Sequence, residues 1–397
     1  MRHLFRISRF AKRLKSSLIR ELLKLANTKG IISFAGGLPS PQLFKKTWII
    51  KAVVKIFLTD ENPLGYEASE GNLKLRTTIA EIYQSKGIPV DPEEIVVTSG
   101  AQQGLDLLGT CLVNAGDPVI TEKPSFAAFF SAIKGRGAKI ATISMEEDGI
   151  DVDLLEIELA KAERAHKLPK MIYIIPTFQN PSGITTSLKK RKKIIFLARK
   201  YDVPIVEDNP YGELRYDGKE IKSLFELAPD IVINVRTFSK DLGLPGFRIG
   251  WLVIKDEKFR NKVVQAIQGK NLCGSKFCQL IVNELLEQGT REHYIAKAIP
   301  YYKEKKDFAL KCLKKYMPDG VYWTRPEGGL FLWITLPKGI TSQELFDKVS
   351  HRVVFVTGNA FKGGDNQLRF NFSYPSLKEI EEGIKFMAEE LRKLMMK

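Results

Sequence analysis

From about Glu94 onward, short runs of valine and isoleucine alternate with longer stretches whose apolar residues recur every three or four positions. EIVVTSG leads into AQQGLDLLGTCLV; DPVITE and AKIATIS follow, and after a helical stretch come KMIYIIP, VPIVEDN, DIVINVRT and GWLVIK. A strand that is apolar at nearly every position has both faces covered. The pattern therefore predicts an α/β fold with a largely parallel, seven-stranded sheet covered by helices. Beyond Arg291 the texture changes to a long charged helix, the runs GVYWTRPEGGLFLWITLP and QLRFNFSYPS, and a final helix, which predicts a smaller α+β domain. The domains expected are an N-terminal segment over residues 1–60, a large domain over 61–290 and a small domain over 291–397. Leu14, Leu18, Leu22 and Leu25 recur at helical spacing, so a structural helix is expected near the start.

Composition narrows the class. With 44% hydrophobic residues in 397, there is ample material for a large core. No apolar stretch approaches the roughly 18–20 residues that span a bilayer, so no membrane partner is expected. The four cysteines form no CxxC pair, which suits reduced thiols and a cytoplasmic location. A net charge of +16 raises the question of nucleic acid. The positive residues are scattered among acids along amphipathic helices, however, and this reads as solvated surface. The exception is the start, where no acid precedes Glu21; that composition resembles a transit peptide or a surface-lying helix, but the leucine spacing favours a structural one.

In an open α/β sheet, ligands bind beyond the carboxyl ends of the strands. After YIIP comes TFQNPSG, after VPIVE comes DNPYGELRY, and after IVINV comes RTFSKDLG, so Asn180, Asp208, Tyr211 and Lys240 are expected at one edge. Nucleotide fingerprints are missing: no G-x-G-x-x-G follows a strand, and there is no G-x-x-x-x-G-K-[ST]. None of the four histidines is spaced as a metal pair and none falls in these loops, which argues against a metal site and a Ser-His-Asp hydrolase. What remains is a carboxylate, an amide, a phenol, a lysine and an arginine. That set suits pyridoxal phosphate, whose ring nitrogen, phenolic oxygen, aldehyde and phosphate each need one such partner.

On these motifs, which occur in family order from IISFAGGLP to LRFNFS, the chain resembles a fold-type-I pyridoxal-phosphate aminotransferase of class I/II, and within it the kynurenine and 2-aminoadipate aminotransferases. The resemblance implies that Lys240 carries the cofactor and shuttles a proton, that Asp208 pairs with the ring nitrogen, and that Asn180 and Tyr211 bond the phenolic oxygen. It implies phosphate binding by the amides of Gly100, Ala101 and Gln102 at a helix start, joined by Ser239, Arg248 and Thr237. Many relatives carry serine where Ala101 stands. Phe126 matches the aromatic that stacks on the ring, and Tyr66 the tyrosine that reaches a neighbouring subunit's phosphate, which implies a homodimer with shared active sites.

For the substrate, Arg369 matches the arginine that grips an α-carboxylate, with the Gly37 amide and Asn180 contributing. Residues 1–60 match a segment that caps the pocket and joins the small domain. Arg20 aligns with an arginine that meets a distal carboxylate in some relatives, and Phe34 with Phe355 are candidates for an apolar pocket. The expected reaction is transamination of an aromatic amino acid such as kynurenine, phenylalanine or tyrosine, or of 2-aminoadipate, with 2-oxoglutarate as acceptor. Alternatives are a β-lyase or decarboxylase on the same fold, and an effector-sensing protein without catalysis. Relatives of that last kind carry an added DNA-binding domain, for which the residues before IISFAGG are too few.

Overall fold

A computed structural model describes residues 6–14, 28 and 30–396. In chain order the first strands are β1 (Ile32–Ser33), β2 (Ile95–Thr98), β3 (Pro118–Lys123), β4 (Lys139–Glu146), β5 (Gly149–Ile150), β6 (Ile172–Ile174), β7 (Ile205–Asp208), β8 (Val232–Thr237) and β9 (Gly250–Val253). Strands β2 to β9 form one sheet in the order β2-β9-β8-β7-β6-β3-β4-β5. Strands β8, β7, β6, β3 and β4 are parallel, whereas β9 is antiparallel to both its neighbours. All seven runs read as strands from the sequence are strands. The eighth is β5, two residues that fold back on β4, too short for any hydrophobic period to announce it.

The sheet is buried on both sides, as its uninterrupted aliphatic runs require. Along β2, Ile95 and Val97 join one core cluster and Val96 the other; along β7, Ile205 and Val206 divide in the same way. One face carries the helices Ala101–Leu112, Ala127–Lys134 and Glu257–Asn271, the other Leu73–Gln84, Val152–Arg164, Leu188–Lys200 and Lys276–Glu287. Each fully buried aliphatic side chain contributes about 1.5–3 kcal/mol. That reserve lets the sheet station polar groups at its edge.

The C-terminal part adds β10 (Tyr322–Trp323), β11 (Phe331–Thr335), β12 (Val353–Val354), β13 (Val356–Thr357) and β14 (Gln367–Asn371). Four of these form an antiparallel sheet, β10-β11-β14-β13. The long helices Thr290–Tyr316 and Leu377–Met395 pack on it through a further core cluster. Strand β1 pairs in parallel with β12, Ile32 opposite Val353, as a separate two-stranded sheet, and the Asn371 amide of β14 donates to the Phe34 carbonyl, so the chain just past residue 30 lies against the C-terminal part. No helix among the described residues is long and apolar enough to cross a membrane.

Candidate active site

The carboxyl ends of β6, β7 and β8 converge. Asp208 is the last residue of β7, and Thr237, the last of β8, caps a four-residue helix, Phe238–Asp241, that presents Ser239 and Lys240. Arg369 arrives from β14. Its Nη1 donates to Asn180 Oδ1 at 2.9 Å and its Nη2 to the Ala35 carbonyl. Asn180 Nδ2 in turn points at the Tyr211 hydroxyl at 3.5 Å. Lys240 Nζ donates to the carbonyl of Gly37. Residues separated by most of the chain thus meet in one place.

A second part is built for an anion. Gly100 ends the turn after β2 at φ 76°, ψ 165°, a conformation open to glycine, and a Cβ there would sit 2.5 Å from a guanidinium nitrogen of Arg248. The Ala101–Leu112 helix begins at the next residue, so its first amides have no carbonyl one turn behind them. Arg248 donates to the carbonyls of Pro245 and Ser99, at 3.1 and 3.4 Å. Beside it the hydroxyls of Thr237 and Ser239 lie 2.9 Å apart.

Electrostatics set this region apart. Lys240, Arg248 and Arg369 make no ion pair among the described residues, although Arg369 is only 2% exposed. Burial, aided by the Arg369 and Arg248 charges, pulls the Lys240 amine down to about 8. Burial likewise brings Arg369 down to about 10. Asp208, also 2% exposed, is pushed up by burial to about 7; the hydrogen bond from Tyr173 opposes the shift and Glu207 adds to it. Its Oδ2 accepts from Tyr173 at 2.7 Å, while Oδ1 is buried without a partner. Burial raises the Tyr211 phenol far enough to keep it protonated throughout the physiological range.

Not every expected residue gathers here. Tyr66 is 86% exposed. Phe126 is half-buried at the start of the Ala127–Lys134 helix, packed on the cluster that holds Tyr173. Gln102 keeps its backbone amide at the helix start, as expected, while its side-chain amide goes to the Ala128 carbonyl. Phe34 and Phe355 do not form a pocket: both are fully buried in the C-terminal core, where the Phe34 ring stacks on Phe370 at 4.0 Å. Alternation along a strand cannot tell a core ring from a pocket ring. Arg20, with most of the leucine repeat, lies outside the described residues.

Three contributors went unread. Phe331 and Phe361 flank the Arg369 guanidinium at 4.4 and 4.9 Å, a cation–π setting that replaces part of its lost hydration. Tyr173 is the third. A tyrosine within a wholly buried aliphatic run carries a hydroxyl that must find a partner, and that was the available signal.

The chain matches the family described as Aminotransferase class I and II over residues 40–387. It is 42% identical over 392 residues to "Aromatic-amino-acid aminotransferase 1" of Thermococcus litoralis, covering 97% of this chain and 93% of that one. Among solved structures, the Pyrococcus horikoshii kynurenine aminotransferase, in complex with PMP, superposes with a TM-score of 0.93 at 38% identity, covering 98% of this chain and 97% of that one. The α-aminoadipate aminotransferase LysN of Thermus thermophilus, complexed with N-(5'-phosphopyridoxyl)-L-leucine, gives 0.89 at 36% identity, covering 98% of each chain.

Proposed function

The chain belongs to the class I and II aminotransferases, and from that premise we propose that it moves the amino group of an aromatic amino acid or 2-aminoadipate to 2-oxoglutarate with pyridoxal 5′-phosphate as cofactor. The observation that carries the reading is the meeting of a depressed lysine amine, a buried carboxylate with a free oxygen and two arginines that have no acidic partner among the described residues.

The residues fit the cofactor. The unpartnered Oδ1 of Asp208 suits a protonated ring nitrogen, which would also relieve the burial that now holds that carboxyl near neutrality. Tyr211 and Asn180 suit the phenolic oxygen. The helix start at Gly100, Ala101 and Gln102, with Ser239, Thr237 and Arg248, suits a phosphate dianion, and Phe126 would cover the ring. Lys240 would anchor the group covalently. When bound, pyridoxal phosphate supplies an electron sink that acidifies the substrate α-carbon.

The chain's own work is then positional and acid–base. The Arg369 guanidinium, steadied by Asn180 and the Ala35 carbonyl, holds the α-carboxylate, with the Gly37 amide alongside. That grip fixes which face of the α-carbon meets Lys240. With its amine near 8, Lys240 is partly unprotonated at neutral pH, so its Nζ can take the α-proton and hold it for return. Asp208 would be kept ionised by a protonated ring nitrogen, and Tyr211 would donate to the phenolic oxygen. Arg20 is proposed to meet a distal carboxylate.

A panel of amino donors with 2-oxoglutarate tests the substrate assignment. Kynurenine, phenylalanine, tyrosine or 2-aminoadipate should lead, with parallel double-reciprocal lines because donor and acceptor use the site in turn. Intersecting lines, or a preference for small aliphatic donors, would refute the reading.

We also propose a homodimer with shared sites. Ile50, Val54, Phe57, Leu58, Leu64 and Tyr66 are each at least half exposed, an apolar surface suited to a second copy, and Tyr66 would reach that copy's phosphate. Sedimentation should give a dimer, and Tyr66→Phe should loosen the cofactor about tenfold, the loss of one phosphate hydrogen bond. A fully active monomer would rule this out.

A further inference from the structure

Tyr173 lies in the middle of β6 with no solvent exposure. Its register partner on β7 is Val206, so its side chain shares a face with Val206 and, two residues on, Asp208. The Tyr173 ring stacks on Phe129 with centroids 3.7 Å apart and planes 5° from parallel. Phe129 belongs to the helix that Phe126 opens, so the ring is wedged between the sheet and that helix. The hydroxyl therefore reaches Asp208 Oδ2, at 2.7 Å, from a ring with little freedom to turn. The neighbouring Glu122 carboxyl takes other donors on Oε2, the Ile175 amide and Gln179, at 3.1 and 3.2 Å, and although its Oε1 is without a partner the Tyr173 hydroxyl goes to Asp208.

A buried carboxylate with one oxygen bonded and the other free has its rotation fixed by the bonded one. Building on the reading that Asp208 faces the cofactor's ring nitrogen, we propose that Tyr173 is a positioning residue that holds the Asp208 carboxylate so that Oδ1 meets that nitrogen. Tyr173 touches neither substrate nor cofactor and acts through Asp208 alone. Its hydroxyl also favours the ionised carboxylate, the form a pyridinium requires. Without it, Asp208 loses a donor on one side and a fixed orientation on the other.

Tyr173→Phe keeps the ring on Phe129 and removes only the hydroxyl. Holoprotein and variant are dialysed against graded pyridoxal phosphate, and retention, absorbance spectrum, kcat and KM are recorded. The variant should retain the cofactor about tenfold less tightly, with a shifted absorbance maximum and a lower kcat, while the donor KM stays nearly constant. Unchanged retention and spectrum in a folded variant would overturn the proposal. A wild-type chain that takes up no pyridoxal phosphate would instead overturn the cofactor reading, and this proposal with it. Should Tyr173→Phe fail to fold, the double variant Tyr173→Phe with Asp208→Asn removes the stranded charge. Recovery of folding supports the coupling, and failure to recover would overturn it, because the ring and its packing are retained in both variants.

Discussion

Lys240→Met is expected to lower turnover by a factor on the order of 10⁴ and to abolish the absorbance of covalently held pyridoxal phosphate, while leaving the chain folded. Methionine matches the length of the lysine stem, so packing around the Phe238–Asp241 turn is preserved and the lost amine is the variable. The same variant carries a second, opposite signature in the cofactor-free protein. The Lys240 amine stands near 8, below its ordinary 10.5, because burial and two guanidinium charges disfavour the protonated form. A lysine depressed on folding destabilises the native state while it is charged. That penalty is present in full below pH 8 and fades as the pH climbs towards 10.5. The cofactor-free Lys240→Met chain should therefore be about 3 kcal/mol more stable than wild type at pH 7, with the gain shrinking above pH 8. Denaturant melts at three pH values check this. A variant less stable at pH 7, or one that still transaminates, would remove Lys240 from its assigned place.

How far the sequence carried the reading depends on the range of the interaction. The strands were legible because burial on both faces leaves an unmixed aliphatic run, and the rule about carboxyl ends then placed Asp208 and Lys240 without coordinates. The helix start at Gly100 was legible for the same local reason, a strand followed at once by a glycine turn and a helix. What local pattern could not show is the company each residue keeps. Asn180 and Arg369 are 189 positions apart, and their hydrogen bond depends on how β14 comes to lie against the loop after β6. Phe34 looked as suitable for a pocket as for a core, and the Phe370 ring on one side with Gly383 on the other decides for the core. Tyr173 was visible as an oddity in its strand, yet its meaning came from a neighbour on the next strand.

Arg369→Gln should cost roughly a hundredfold to a thousandfold in kcat/KM for amino acids, about 3–4 kcal/mol, with the cofactor spectrum retained. The guanidinium is an unusual charge to bury. It is 2% exposed, its Nε has no partner, and no acidic side chain among the described residues pairs with it. Two aromatic rings and two carbonyl acceptors, Asn180 Oδ1 and the Ala35 oxygen, hold it in place without neutralising it. An α-carboxylate would supply the missing negative charge in a dry setting, where a two-pronged contact is far stronger than in water. Glutamine keeps much of the reach and can still meet one carbonyl, but it offers neither the charge nor the fork. The distinguishing measurement pairs each amino acid with the corresponding amine that lacks the α-carboxylate. Wild type should prefer the amino acid strongly, and the variant should lose most of that preference, mainly because the amino acid becomes worse. A variant that keeps the preference would mean that another group grips the carboxylate, and Arg369 would then be a core cation tied to Asn180.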